Sequence, residues 1–345
     1  MADVYILGPL VQSHSGVVTR LERYQKALCG FGLTVATQSY SEAVFPVSRP
    51  GHIHLLDPGA LVRVIRSQVG RGRGAPDTSW WPAVQGNYTL TLTSLREEMR
   101  GRGERALFEE VLADAQAVLV PTERLAECLV QQNIVCAKRI HVVPTPLLAY
   151  DGGGPSREAV ARVADLCQGG RRLVLCVGPV ASDQGMDTFL GLLEQVRYIL
   201  PEALGVVVGP VLDPSFFRRL LPTMKRAGAV YAGAFARADM PAFYANAAVL
   251  FDGRKETGLA ATAGEALSCG LPVLIHRSLW DGDQTPPGLS LYAEETQALR
   301  QCVQVLRDRP AFRFAEDFFL RAAYERTVLY KVCTMCGIDG QVTVG

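Results

Sequence analysis

Short apolar runs rich in β-branched residues alternate with segments of helical periodicity along most of the chain, and this alternation constrains the fold more than any other feature. Strands of a parallel sheet are covered on both faces, so they read as continuous apolar runs, whereas the crossover helices between them keep a period near 3.6. The pattern predicts an α/β fold built from doubly wound parallel sheets.

The alternation stops once, between Pro144 and Ser156, where prolines and three consecutive glycines break both periods. A chain of 345 residues is longer than one hydrophobic core usually serves. We therefore predict a Rossmann-like domain over residues 1–148, a second over 149–310, and a C-terminal helical segment, 311–345, that packs back across both. Because ligands of open α/β sheets bind beyond the carboxyl ends of the strands, the two sheets are expected to face a central cleft.

The predicted elements are short strands and helices of two to five turns. In the first domain we expect strands at Val4–Leu7, Leu33–Ala36, Ile53–Leu56, Tyr88–Leu92, Ala117–Val120 and Ile140–Val143, and helices at Gly16–Cys29, Ala60–Ser67, Arg96–Ala113 and Glu123–Gln132. In the second we expect strands at Leu173–Val177, Gly205–Val208, Val230–Ala232, Val249–Phe251 and Val273–Ile275, and helices at Met186–Tyr198, Pro214–Ala227, Met240–Asn246 and Leu259–Ser268.

The charge balance argues against several classes of function. Lys and Arg number 35 against 34 Asp and Glu, so binding of nucleic acid by bulk electrostatics is not expected. No apolar run approaches the roughly 18 residues that a membrane span needs, and the chain opens on a strand instead of a basic leader, which predicts a cytoplasmic protein. Cys333 and Cys336 have the spacing of half a zinc site, but no second pair follows nearby, and no metal site is predicted.

One passage in the second domain places charged residues around a helix start. Arg254 and Lys255 precede a stretch of small residues, and Glu265 lies inside the helix that follows. A helix N-terminus offers unpaired N–H groups and the positive end of a dipole. The passage predicts an anion-binding site whose carboxylates can accept hydrogen bonds from the hydroxyls of a sugar or a ribose.

Four parts of the chain resemble the GT-B glycosyltransferases, and among them the large retaining group often called family 4. They are Ser15-Gly16-Val17 before Gly30–Val35, Val120–Glu123 with Ile140–Pro144, Val177–Pro179 with Gln184-Gly185, and Glu265–Val273. The last, EALSCGLPV, is close to the family's EAMACGxPV run. The resemblance implies a GT-B fold and transfer of a hexose-type sugar from a nucleotide-sugar donor with retention. No metal or other cofactor is expected if the helix start and the basic pair Arg254 and Lys255 carry the charge of the leaving group.

The resemblance also implies roles for two acidic positions. Glu265 matches the glutamate that accepts hydrogen bonds from the ribose of the donor. The family's earlier glutamate faces the donor sugar and is separated from the late one by seven residues, a position that holds Thr257 here. Either one extra loop residue leaves the neighbouring Glu256 in that role, which we favour because loops tolerate insertions, or the Thr257 hydroxyl replaces the carboxylate. Both are candidate catalytic residues.

The phosphate-binding positions depart from the family pattern. Pro179 and Gln184 stand where the family has an arginine and a lysine that neutralise the diphosphate. The leaving diphosphate gains charge as the glycosidic bond breaks, so other cations are needed, and we expect Arg254 and Lys255 to supply them unless they are solvated loop charges. The predicted donor-binding residues are Gly16, Gly178, Gln184, Gly185, Arg254, Lys255, Gly258, Leu259, Ala260 and Glu265.

The acceptor side is expected in the first domain. His14 lies on the opening glycine loop, and His54 and Asp57 flank the end of a predicted strand. The acceptor itself is unidentified: a small molecule, a glycan or a lipid-linked molecule, with nucleic acid less expected. A homo-oligomer is compatible with the sequence.

Two other functions stay open. The missing arginine and lysine would suit a non-catalytic GT-B partner subunit. The arginine-rich loops at 63–73 and 96–105 would suit a glycosyltransferase that acts on modified nucleic-acid bases, although the near-neutral net charge makes this less expected.

Overall fold

The computed structural model describes residues 4–8, 25, 29, 33–40, 52–68, 81–92, 102–142, 154–255, 260–280, 285–308 and 310. The described residues divide into two compact units, 4–142 and 154–310. The described residues of each unit form one six-stranded sheet in which all neighbouring strands are parallel. The predicted α/β class, with two doubly wound sheets, is therefore confirmed.

The sheet of the first unit follows the order β2-β1-β3-β4-β5-β6. Its strands are β1 (Val4–Gly8), β2 (Val35–Ser39), β3 (His52–Leu56), β4 (Tyr88–Thr91), β5 (Ala117–Val120) and β6 (Ile140–Val142). The helices of its described part are α1 (Pro58–Gln68), α2 (Trp81–Val84), α3 (Arg102–Asp114) and α4 (Glu123–Gln131). These helices bury one face of the sheet around Leu55, Tyr88 and Phe108, because apolar residues recur at helical spacing on their inner sides.

The sheet of the second unit follows the order β12-β11-β10-β7-β8-β9. Its strands are β7 (Arg172–Val177), β8 (Ala203–Val208), β9 (Ala229–Gly233), β10 (Ala247–Asp252), β11 (Val273–His276) and β12 (Leu289–Tyr292). Its helices are α5 (Arg157–Cys167), α6 (Met186–Ile199), α7 (Pro214–Ala227), α8 (Met240–Asn246), α9 (Ala261–Ser268) and α10 (Glu295–Asp308).

Both faces of this second sheet are covered. Helices α6, α7 and α10 pack on one face around Phe189 and Phe251, and α5, α8 and α9 pack on the other around Phe243 and Leu250. The chain runs outward from β7 to β9, returns to β10 and runs outward again to β12. The strand order therefore reverses between β7 and β10, and such a switch point is where doubly wound sheets bind ligands.

Some elements differ from the prediction. Strand β2 runs from Val35 to Ser39 and not, as predicted, from Leu33 to Ala36. It continues beyond Ala36 because an edge strand tolerates polar residues such as Thr37 and Gln38. Helix α5, strand β12 and helix α10 are not among the predicted elements. The predicted C-terminal segment 311–345 and most of the predicted helix over 16–29 lie outside the described residues.

Candidate functional site

Glycines stand at the carboxyl ends of four neighbouring strands of the second sheet, two of which, β7 and β10, flank the switch point. Gly178 follows β7, Gly209 follows β8, Gly233 ends β9 and Gly253 follows β10. A Cβ on Gly209 would lie 2.0 Å from the carbonyl oxygen of Gly178, so these two strand ends contact each other through their backbones. An edge with so few side chains lets a ligand approach the backbone closely.

The first turn of α6 packs directly on the segment that follows β10. Gly185, the residue before α6, has a φ of 70°, and a Cβ there would lie 2.2 Å from the carbonyl carbon of Gly253 and 2.5 Å from the nitrogen of Arg254. In return, a Cβ on Gly253 would lie 2.2 Å from the oxygen of Gly185. Two sequence-distant loops can meet this closely only because both contact residues are glycines.

Helices α6 and α9 begin without a side-chain cap. Gly185 and Ala260 precede them, and neither forms a capping hydrogen bond. By contrast, Asp213 caps α7 by accepting from the backbone nitrogens of Ser215 at 3.0 Å and Phe216 at 2.9 Å. Helix starts that leave their first N–H groups without a side-chain partner attract anions.

The carboxylate of Glu265 is buried in α9 and is held by two side chains. The Arg237 Nε donates to Glu265 Oε1 at 2.6 Å, and the Tyr244 hydroxyl donates to Oε2 at 3.4 Å. The side chain of Glu265 is 5% exposed and that of Arg237 is 26% exposed. The guanidinium offsets the cost of burying the carboxylate charge. Burial, and next the negative charge of Glu265, raise the pKa of Tyr244 well above its usual value.

Arg254 is held by Asp252, the last residue of β10. The Arg254 Nε donates to Asp252 Oδ1 at 2.8 Å, its Nη2 donates to Oδ2, and its backbone nitrogen donates to Oδ1 at 3.1 Å. This bidentate geometry orients the guanidinium and balances its charge. The neighbouring Lys255 is exposed, and its carbonyl oxygen accepts a hydrogen bond from the Ser278 hydroxyl. That these two cations replace the family's arginine and lysine stays a prediction.

Gln184 lies over the carboxyl end of β7. A Cβ on Gly178 would lie 3.9 Å from Gln184 Oε1, in ordinary van der Waals contact. The predicted donor-binding residues Gly178, Gln184 and Gly185 therefore lie together beyond the carboxyl end of the central strand β7.

The predicted acceptor-side residues of the first unit have structural partners. The Nδ1 of the buried His54 is 2.8 Å from Thr89 Oγ1, and its Nε2 is 2.9 Å from Thr91 Oγ1. Asp57 accepts a hydrogen bond from the backbone nitrogen of Ala60 at 3.1 Å and so ties down the start of α1. Their contact with an acceptor stays a prediction.

Several predicted site residues lie outside the described residues: His14, Gly16, Glu256, Thr257, Gly258 and Leu259. Among the residues that are described, no cluster of three His, Cys, Asp or Glu side chains is arranged to hold a metal ion. No helix in this part of the chain is long and apolar enough to cross a membrane.

Sequence reasoning did not identify four residues of the candidate site. Asp252 and Gly253 stand at the carboxyl end of a buried strand, and this position could have identified them as candidate ligand-binding residues. Arg237 and Tyr244 carry no local signal, because their link to Glu265 is a contact across 28 and 21 residues of chain.

Comparison with proteins of known structure establishes the fold. No protein-family model and no curated protein matches the sequence. Among solved structures, Anabaena HepE in complex with UDP and glucose has a TM-score of 0.65 at 11% identity, over 97% of this chain and 100% of that one. Sucrose-phosphate synthase from Thermosynechococcus elongatus has a TM-score of 0.65 at 15% identity, over 96% of this chain and 99% of that one.

A third solved structure is similar over nearly the whole chain. It is WaaG, a glycosyltransferase of lipopolysaccharide biosynthesis, with a TM-score of 0.55 at 14% identity, over 95% of this chain and 94% of that one. Identities this low establish the fold alone. The chain has the GT-B fold that the sequence resemblance implied.

Proposed function

We propose that the protein is a glycosyltransferase that binds a nucleotide-sugar donor at the carboxyl edge of its second sheet and transfers the sugar to an acceptor. The observation that carries the proposal is the contact between the start of α6 and the segment leading into α9, at the point where the strand order reverses. Both helices begin without a side-chain cap, which suits the phosphates of a nucleotide.

Solved structures with this fold support a nucleotide-sugar donor. One of them is the structure of HepE in complex with UDP-glucose. It matches 98% of this chain with a TM-score of 0.59. In the proposed complex the diphosphate lies against the starts of α6 and α9, and the ribose hydroxyls donate to Glu265. Glu256 or Thr257 faces the transferred sugar, which we propose is a hexose.

The proposed reaction keeps the anomeric configuration and uses no metal ion. Retention follows from the family resemblance. The negative charge that develops on the leaving diphosphate would be stabilised by the two helix starts together with Arg254 and Lys255. Binding of the acceptor is assigned to the first unit, and a cytoplasmic location stays a prediction.

A non-catalytic GT-B partner subunit is the second candidate. The ion pair between Arg254 and Asp252 favours it, because an arginine balanced by a carboxylate supplies less net charge to a phosphate than an unpaired one. Pro179 and Gln184 add no cation at the other side of the site.

A panel of nucleotide sugars tests the proposal. Thermal shift measures binding, and chromatography measures release of the nucleoside diphosphate with candidate acceptors or water. We expect one donor class to bind and turn over. Glu265→Gln should weaken its binding about tenfold or more, as expected when a charged acceptor of hydrogen bonds is lost. Glu194→Gln, which removes an exposed carboxylate on α6 that pairs with Arg226, is the matched control and should bind like the wild type.

Each outcome has a different consequence. Binding without turnover or hydrolysis would favour the partner-subunit candidate. Absence of binding for every nucleotide sugar, or equal binding by Glu265→Gln and the wild type, would contradict the proposed donor site.

A further inference from the structure

The segment that carries Arg237 is fixed at both of its ends. It follows β9 and forms the short turn Arg237–Asp239, and its Arg237 pairs with Glu265 on α9. Two residues later, Asp239 Oδ1 accepts a hydrogen bond from the backbone nitrogen of Ser156 at 2.7 Å, at the start of α5. The hydrogen bonds from Ser156 lower the pKa of Asp239. The turn is thus attached to two helices, and the guanidinium is delivered to Glu265 from an anchored backbone.

The contacts of Glu265 leave part of its carboxylate for a ligand. An ionised carboxylate has about four positions at which it can accept a hydrogen bond. Arg237 Nε uses one on Oε1 and the Tyr244 hydroxyl uses one on Oε2. About two positions remain, one on each oxygen, which matches the two vicinal hydroxyls of a ribose.

We propose that Arg237 is a positioning residue for the donor: it holds the buried Glu265 carboxylate in the orientation in which its remaining lone pairs meet the ribose hydroxyls. This inference rests on the proposed function. Arg237 acts through Glu265 and not through the reacting atoms. A lysine in its place would keep the charge but would lack the planar geometry of the guanidinium.

The experiment measures dissociation constants by calorimetry on the full chain, with UDP and with 2′,3′-dideoxy-UDP. The wild type should prefer UDP. At pH 7, Arg237→Gln should bind UDP about tenfold more weakly, the effect expected for a charge-assisted hydrogen bond, and should no longer discriminate against the dideoxy compound. Arg237→Lys should recover part of the affinity. Arg226→Gln, which breaks the exposed pair with Glu194, is the matched control and should behave like the wild type.

A double variant keeps the test valid if Arg237→Gln does not fold, because Arg237→Gln/Glu265→Gln leaves neither charge buried. It should bind UDP as Glu265→Gln does, since Arg237 acts through that carboxylate. A further loss of affinity in the double variant would overturn the positioning role, because Arg237 would then contact the ligand by itself.

The remaining outcomes separate the two proposals. A folded Arg237→Gln that keeps both the wild-type affinity for UDP and the wild-type preference for UDP over the dideoxy compound overturns only the role of Arg237. Wild-type protein that binds no nucleoside diphosphate of a panel covering all common bases overturns the proposed function, and the role of Arg237 with it.

Discussion

Gly185 and Gly253 bring two loops into backbone contact, and this contact makes a sharp prediction for a single methyl group. Gly185→Ala would place a Cβ 2.2 Å from the Gly253 carbonyl carbon, at a φ of 70°. We expect it to lower the free energy of unfolding by about 1–3 kcal/mol, from backbone strain and overlap, as measured by urea denaturation. Gly191→Ala, inside α6 with open space around it, should instead raise the free energy of unfolding by about 0.5–1 kcal/mol. Equal effects of the two variants would contradict this account.

We expect the titration of His52 to make the free energy of unfolding depend on pH. Burial lowers its pKa from 6.5 to about 4, so the native state favours the neutral imidazole, whose Nε2 lies 2.8 Å from Thr89 Oγ1. Between these two values the unfolded chain binds more protons, and the contribution of His52, complete above pH 6.5, is lost as the pH falls. We expect a loss of about 2 kcal/mol between pH 7 and pH 5. In His52→Gln the free energy of unfolding, measured by chemical denaturation at both pH values, should fall less between pH 7 and pH 5. A fall as large as in the wild type would refute the assignment to His52.

The sequence identifies some site residues and not others for a physical reason. Gly185 and Glu265 belong to two short motifs that carry the resemblance to GT-B glycosyltransferases, and such motifs can be recognised within a few residues. The partner of Glu265 is Arg237, 28 residues away in the chain. That pairing depends on how the turn after β9 packs against α9, which no local pattern records.

At the scale of elements, burial decides how well a strand can be predicted. The central strands β5, β7 and β10 are continuous apolar runs, and their positions are predicted within two residues. The edge strands β2 and β12 have one neighbour each, so their sequences admit polar residues and give a weaker signal. Helix α10 was predictable in principle, because Ala298, Cys302 and Leu306 recur at four-residue spacing on its buried side.

Helix α7 tests the contribution of a cap. Asp213 accepts hydrogen bonds from the backbone nitrogens of Ser215 and Phe216, and these bonds, with that from the Ser215 hydroxyl first, lower the pKa of Asp213. Asp213→Ala should lower the denaturation midpoint, because the backbone nitrogens of Ser215 and Phe216 lose their acceptor. Asp213→Asn keeps an acceptor oxygen and should lower the midpoint much less. Chemical denaturation distinguishes the two, and a loss as large for asparagine as for alanine would contradict the capping role.

At the scale of the whole molecule, the two units differ in how well their described residues suit a nucleotide-binding site. Each has its own sheet and core. The polar side chains of β3 and β4 in the first unit bond to one another, as His54 does with Thr89 and Thr91. In the second unit the uncapped start of α6 contacts the segment after β10, at the point where the strand order reverses. We therefore expect a nucleotide to bind to the second unit.

Hydrogen exchange with UDP tests this division. A ligand at one hundred times its dissociation constant stabilises the state that binds it by about 2.7 kcal/mol, which corresponds to a slowing of exchange of up to about 100-fold where local opening breaks the site. We expect that slowing in residues 178–186 and 260–266 and unchanged exchange in β3 and β4. Glu265→Gln should reduce the protection at equal UDP concentration, since less of the protein is bound. Protection confined to β3 and β4 would place the nucleotide in the first unit and contradict the assigned site.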